Sequence, residues 1–87
     1  VKARDMFLKI LARVPEELLR WGYVVSVHPC DWKDICEVEV QGDFNSSLLM
    51  SLKEDGWTFE VTENGFLHSS KTIDVGDKNV TLAVTMT

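Results

Sequence analysis

The stretch Trp57-Thr58-Phe59-Glu60-Val61-Thr62-Glu63-Asn64-Gly65-Phe66 decides the fold. Its first six residues alternate large apolar with polar side chains, the period of a strand that buries one face. Asn64-Gly65 then reads as a type I′ hairpin turn, because both residues tolerate positive φ. A two-residue turn there pairs Thr62 with Leu67, Val61 with His68 and Phe59 with Ser70. The centre of the molecule is therefore a sheet.

Outward from that hairpin the same logic extends in both directions. Beyond a turn at Gly76-Asp77, Val80, Leu82, Val84 and Met86 alternate with Thr81, Ala83 and Thr85, which predicts a last strand. Before the hairpin, Phe44, Leu48 and Leu52 recur at four-residue spacing, with Leu49 flanking and Met50 pointing away. That spacing predicts a helix over 45–55, capped by Asp43, Asn45 or Ser46 and closed by Gly56. Earlier still, Tyr23, Val25 and Val27 alternate with Val24, Ser26 and His28, and Cys36, Val38 and Val40 alternate with Ile35, Glu37 and Glu39. These are two strands of a hairpin joined by an irregular loop, with Tyr23, Val25, Val38, Val40, Trp57, Phe59, Val61, Leu82 and Val84 expected on the dry face.

The first twenty residues have helical period, since Phe7, Ile10, Leu11, Val14 and Leu18 share one face. Pro15 allows either one kinked helix or two, the second starting at Pro15. A continuous helix would align Lys2, Lys9, Arg13 and Arg20 as a basic stripe. Leu8, Ala12 and Leu19 widen the apolar sector beyond what contact with one core needs. The expected fold is α+β, a two-layer sandwich in the order α-β-β-α-β-β-β, with a mostly antiparallel or mixed sheet and the helices on one face. Residues 1–87 are expected to form one compact domain, because a chain of this length supports one core.

Composition narrows the function classes. The net charge is −5, with +2 in residues 1–20 and −7 in residues 21–87. The chain is electrically polarised. No apolar run is long enough to span a bilayer, and the first residues lack the order of a signal peptide, so a cytoplasmic protein without membrane contact is expected. In that compartment Cys30 and Cys36 would by default be reduced, and a local bridge between them is the disfavoured alternative. The face expected to be open carries Glu37, Glu39 and Glu60, which repels phosphate, so no nucleic-acid partner is expected.

Catalytic and metal chemistry find little support. His28, Cys30 and Cys36, with Asp31, Asp34 and the distant His68, are metal-ligand types but lack C-x-x-C or H-x-x-x-H spacing. Strand alternation also puts Cys36 and His28 on opposite faces, so neither a metal nor another cofactor is expected. Cys30 with His68 lacks an orienting partner, the scattered glycines form no phosphate loop, and Glu37, Glu39 and Glu60 sit on a flat face without a cleft. No catalytic residue is assigned.

Two features fit a partner surface. Trp32, between Asp31 and Lys33, resembles an interface anchor, though it would equally serve the core by folding back. Leu8, Ala12 and Leu19, flanked by Lys9 and Arg13, form an apolar seam on the first helix. The expected function is thus that of a small acidic non-enzymatic protein-interaction module acting as an adaptor, inhibitor or regulatory subunit, of a kind common in phages and mobile elements. A homodimer through the seam is one form such docking takes. The alternatives are a small-molecule or metal-binding domain using the His28–Cys36 loop, and an enzyme whose site forms only at an oligomer interface.

Overall fold

The computed structural model describes residues 3–30, 35–76 and 78–87. Three helices and five strands follow in the order α1 (Ala3–Arg13), α2 (Glu16–Trp21), β1 (Tyr23–Pro29), β2 (Ile35–Gly42), α3 (Ser46–Glu54), β3 (Thr58–Val61), β4 (Leu67–Asp74) and β5 (Asn79–Met86). The strands make one mixed sheet in the order β1-β2-β5-β4-β3, antiparallel except where β2 runs parallel to β5. This is the expected α+β arrangement, with the first helical segment divided.

Pro15 causes the division. It disfavours the α conformation at Val14, and it precedes α2 as its extended cap, at φ −55° and ψ 133°, rather than as its first residue. The continuous basic stripe is consequently broken: Arg20 belongs to α2 and pairs with Glu16 at 2.7 Å, while Lys2 lies outside the described residues. Both helical pieces still bury one side, through Ile10, Val14 and Leu18.

α3 forms where its spacing predicts. Asn45 caps it by accepting from the Leu48 amide at 2.9 Å, and Leu48 and Leu52 enter the core. Phe44 does not follow them. It precedes the helix, so the four-residue spacing no longer fixes its direction, and it is exposed.

Strand register turns on three irregularities. In β1, Val24 pairs with Val40 and Ser26 with Glu39, so Val25 is the extra residue of a bulge. The bulge shifts the phase of the strand: Val24 packs against the core, and Tyr23 and Val25 are exposed, contrary to the simple alternation. At the far end His28 pairs with Glu37 and Pro29 with Ile35, so Cys36 is the extra residue on β2. Ile35 therefore takes the core position that alternation assigns to Cys36, and Cys36 is exposed.

The third irregularity is the β3–β4 turn. Only Gly65 has positive φ, at +81°, whereas a type I′ turn needs positive φ at Asn64 as well. The Thr62 amide donates to the Phe66 carbonyl at 2.8 Å and the Gly65 amide to the Thr62 carbonyl at 2.9 Å. This is a three-residue loop, and it moves the register by one: Val61 pairs with Leu67, Glu60 with His68 and Phe59 with Ser69. Val61 ends on the edge strand with 71% of its surface exposed, so it is not a core residue, and Phe59 is half-buried.

β5 lies at the middle of the sheet and is buried along most of its length. On one face Val38, Leu82 and Val84 meet Ile10, Leu18, Leu48, Leu52 and Trp57 from the helical layer and its connections. On the other, cross-strand rows read Tyr23–Gln41–Thr85–His68–Glu60 and Ser26–Glu39–Ala83–Ser70–Thr58. No described helix packs on that second, polar face. No helix is long and apolar enough to cross a membrane among the described residues.

Candidate functional site

Helical geometry sorts α1 into two sides. Ile10 and Val14 are buried and Phe7 packs partly against the same core. At 100° per residue, Leu8 and Ala12 then lie on the opposite side, with Lys9 and Arg13 on its flank, and all four are exposed. Leu8 retains 56% of its surface. The β4–β5 turn stands beside this surface, so that Lys9, Ala12, Arg13, Val75 and Gly76 line a cleft of about 330 Å³. The Val75 amide donates to the Lys78 carbonyl at 2.9 Å, which fixes that wall.

The structure thus brings Lys9, Ala12 and Arg13 together in one concavity, with Leu8 beside them. Leu19 is exposed too, but it sits on α2 beyond the Pro15 break. Trp32 lies outside the described residues, as do Asp31, Lys33, Asp34 and Asp77. Nothing local in Val75 or Gly76 announces which helix their turn adjoins, so the sequence alone does not mark them.

The described residues that line this cleft bring two cations and no carboxylate. Neither Lys9 nor Arg13 forms an ion pair among the described residues, whereas Arg20 is held by Glu16 and Lys71 by Asp55 at 3.1 Å. A cleft of about 420 Å³ between α2 and α3 has the opposite character: its rim carries Glu17, Glu54 and Asp55 around Leu48 and Leu52. Asp55 accepts hydrogen bonds from Lys71 and from the Trp57 indole, and these together with the Lys71 charge hold its carboxyl below the ordinary aspartate range.

The polar sheet face gathers the remaining reactive groups. His28, Glu37 and Glu39 place one donor atom each within 4.8 Å of one another, because the bulge at Val25 sets Ser26 opposite Glu39 and His28 opposite Glu37. These three are the residues that would hold a divalent cation. They lie on a solvent-open strand pair, and we assign no ion to them. Ser26 Oγ is 3.1 Å and Glu37 Oε2 3.7 Å from the same ring atom, His28 Nε2. A serine–histidine–carboxylate relay needs its serine and its carboxylate on different ring nitrogens. This group therefore makes no such relay. His68, expected opposite Val61, instead pairs with Glu60 and Thr85, its Nδ1 3.3 Å from Thr85 Oγ1.

Cys30 and Cys36 form a disulfide, with Cα atoms 5.1 Å apart. The expectation of two reduced thiols is thereby corrected. Pairing across the end of a hairpin follows from the second bulge, which turns Cys36 out of the core and toward Cys30. It also removes both sulfurs from any metal site or nucleophilic role in this state.

No family model, curated protein or solved structure matches this chain. The functional reading rests on the geometry alone.

Proposed function

We propose that this chain is a small non-enzymatic interaction module, an adaptor, inhibitor or regulatory subunit, that docks on a partner protein through the outer side of α1. The observation that carries this is the row Leu8–Ala12 running beside the row Lys9–Arg13 on an exposed helix surface, with a cleft at its edge. Apolar groups left in water next to cations are what a partner surface offers.

Among the described residues the enzyme alternative lacks a supporting constellation: the sulfurs are bonded to each other and the His28 neighbours crowd a single nitrogen. A nucleic-acid partner is disfavoured because two adjacent cations release few counterions and the chain is net −5. The cytoplasmic location expected from sequence goes with free thiols, and a disulfide goes with oxidising surroundings. We favour the latter.

A photo-crosslinking amino acid placed at Leu8 tests the docking face against the same group at Phe44, an exposed apolar residue elsewhere. The reading expects a defined crosslinked species from position 8 in cell extract, competed by excess unlabelled protein but not by the Leu8→Glu variant. Equal crosslinking from both positions, or none from position 8, would reject it.

A further inference from the structure

We infer that the cleft between α1 and the β4–β5 turn receives an acidic, amphipathic peptide segment of a partner protein, an assignment that rests on the docking face proposed above and adds the chemistry of its occupant. The floor is apolar, made by Ala12 and the side of Val75, and Leu8 extends it one helical turn toward the N-terminus. The rim is cationic, made by Lys9 and Arg13, which have no carboxylate partner among the described residues. The chain has fourteen acidic residues against nine basic ones, yet the margin of this apolar strip presents two cations and no carboxylate among the described residues that line it. A ligand that places apolar side chains on the strip and carboxylates along its margin satisfies both features.

Two other occupants fit less well. A phosphate polymer would gain from two cations but would meet an apolar floor and the field of an acidic protein. A second copy bound by the same patch about a two-fold axis would set Lys9 and Arg13 against their own counterparts, and like charges at such a seam oppose association.

The probes are two synthetic helix-forming peptides with the same leucine row, one bearing glutamate and the other lysine at every remaining charged position. Fluorescence anisotropy is measured against the whole chain at moderate salt. The expected result is binding of the glutamate peptide and about tenfold weaker binding of the lysine peptide, the scale of two solvent-exposed ion pairs. Lys9→Glu with Arg13→Glu should reverse that order. Ala12→Arg, which fills the cleft with a good helix former, should abolish binding while the circular dichroism spectrum stays unchanged.

The failures are distinguishable. Binding lost on Ala12→Arg but equal for both peptides overturns the acidic occupant alone. Binding that survives Ala12→Arg overturns the docking face itself. No binding of either peptide overturns the acidic-peptide assignment, as does tighter binding of a single-stranded oligonucleotide or a concentration-dependent dimer that Lys9→Glu strengthens.

Discussion

The Trp21 indole packs against Gly42 so closely that a Cβ at Gly42 would stand 2.7 Å from two ring carbons. The same ring donates from Nε1 to the Asp43 carbonyl at 2.7 Å. Together these contacts fasten the end of α2 to the end of β2, and so hold the helical layer at its angle to the sheet. Gly42→Ala should lower stability by about 1–3 kcal/mol through overpacking. In a Trp21→Ala background the same substitution should cost much less, since the clashing ring is gone. Urea unfolding of the four variants measures the coupling, and additive effects would show that the contact does not constrain the junction.

Ser69 offers a test of opposite sign. It lies between Val84 and Phe59 on the core side of the sheet, is 2% exposed, and its hydroxyl has no hydrogen-bond partner among the described residues. An unsatisfied buried hydroxyl costs more than the small void its removal leaves. Ser69→Ala should therefore raise stability by roughly 1 kcal/mol. A loss of that size in thermal or urea unfolding would mean that the hydroxyl is bonded in solution.

Much of this fold is legible in the sequence where structure is decided locally. Asn45, Leu48, Leu52 and Gly56 announce α3 and its limits, and the alternation of Val80 through Met86 announces β5. The amphipathicity of α1 is local too, which is why Leu8, Lys9, Ala12 and Arg13 are readable as candidates. What alternation cannot announce is an inserted residue. The bulges at Val25 and Cys36 each shift a strand by one, exposing Tyr23, presenting Ile35 to the core and bringing Cys36 to Cys30. The Asn64-Gly65 turn misleads for a similar reason, since one residue more in the loop exchanges every pairing beyond it. The cleft wall at Val75 and Gly76 depends on how distant elements dock, and no local pattern encodes that.

Asp55 links stability to pH. Its carboxyl is held below the ordinary aspartate range by hydrogen bonds from Lys71 and Trp57 and by the Lys71 charge. A folded-state value below the unfolded one contributes stability above the unfolded pKa and loses it as pH falls through the folded pKa. Asp55→Asn should therefore be less stable than the parent at neutral pH and converge with it in strongly acidic buffer. Urea midpoints across that window check the sign, and a difference that grows on acidification would contradict it.

The disulfide makes a chemical prediction. Protein purified without reductant should show no thiol reactive toward an aromatic disulfide reagent until it is unfolded and reduced. Closing so short a loop restricts the unfolded chain by roughly 2 kcal/mol, so Cys30→Ser with Cys36→Ser should lower stability by about that amount without changing the sheet. Two titratable thiols in untreated protein would contradict the disulfide.

Neighbouring leucines on α2 separate docking from folding. Leu18 is fully buried and Leu19 is 41% exposed, although they are adjacent in sequence. Leu18→Ala should cost about 2–5 kcal/mol, the range for a core leucine. Leu19→Glu and Leu8→Glu should each change stability by no more than about 0.5 kcal/mol, because neither side chain supports the core. If α1 and α2 act as one docking surface, both glutamate variants should weaken partner binding. If the Pro15 break divides that surface, only Leu8→Glu should do so, since Leu19 then points along a separate axis. Light scattering on the parent adds the remaining distinction: a dimer dissolved by Leu8→Glu with the fold intact would identify a second copy as the occupant of α1. Collapse of the fold in a variant of a monomeric parent would instead show that Leu8 belongs to the core.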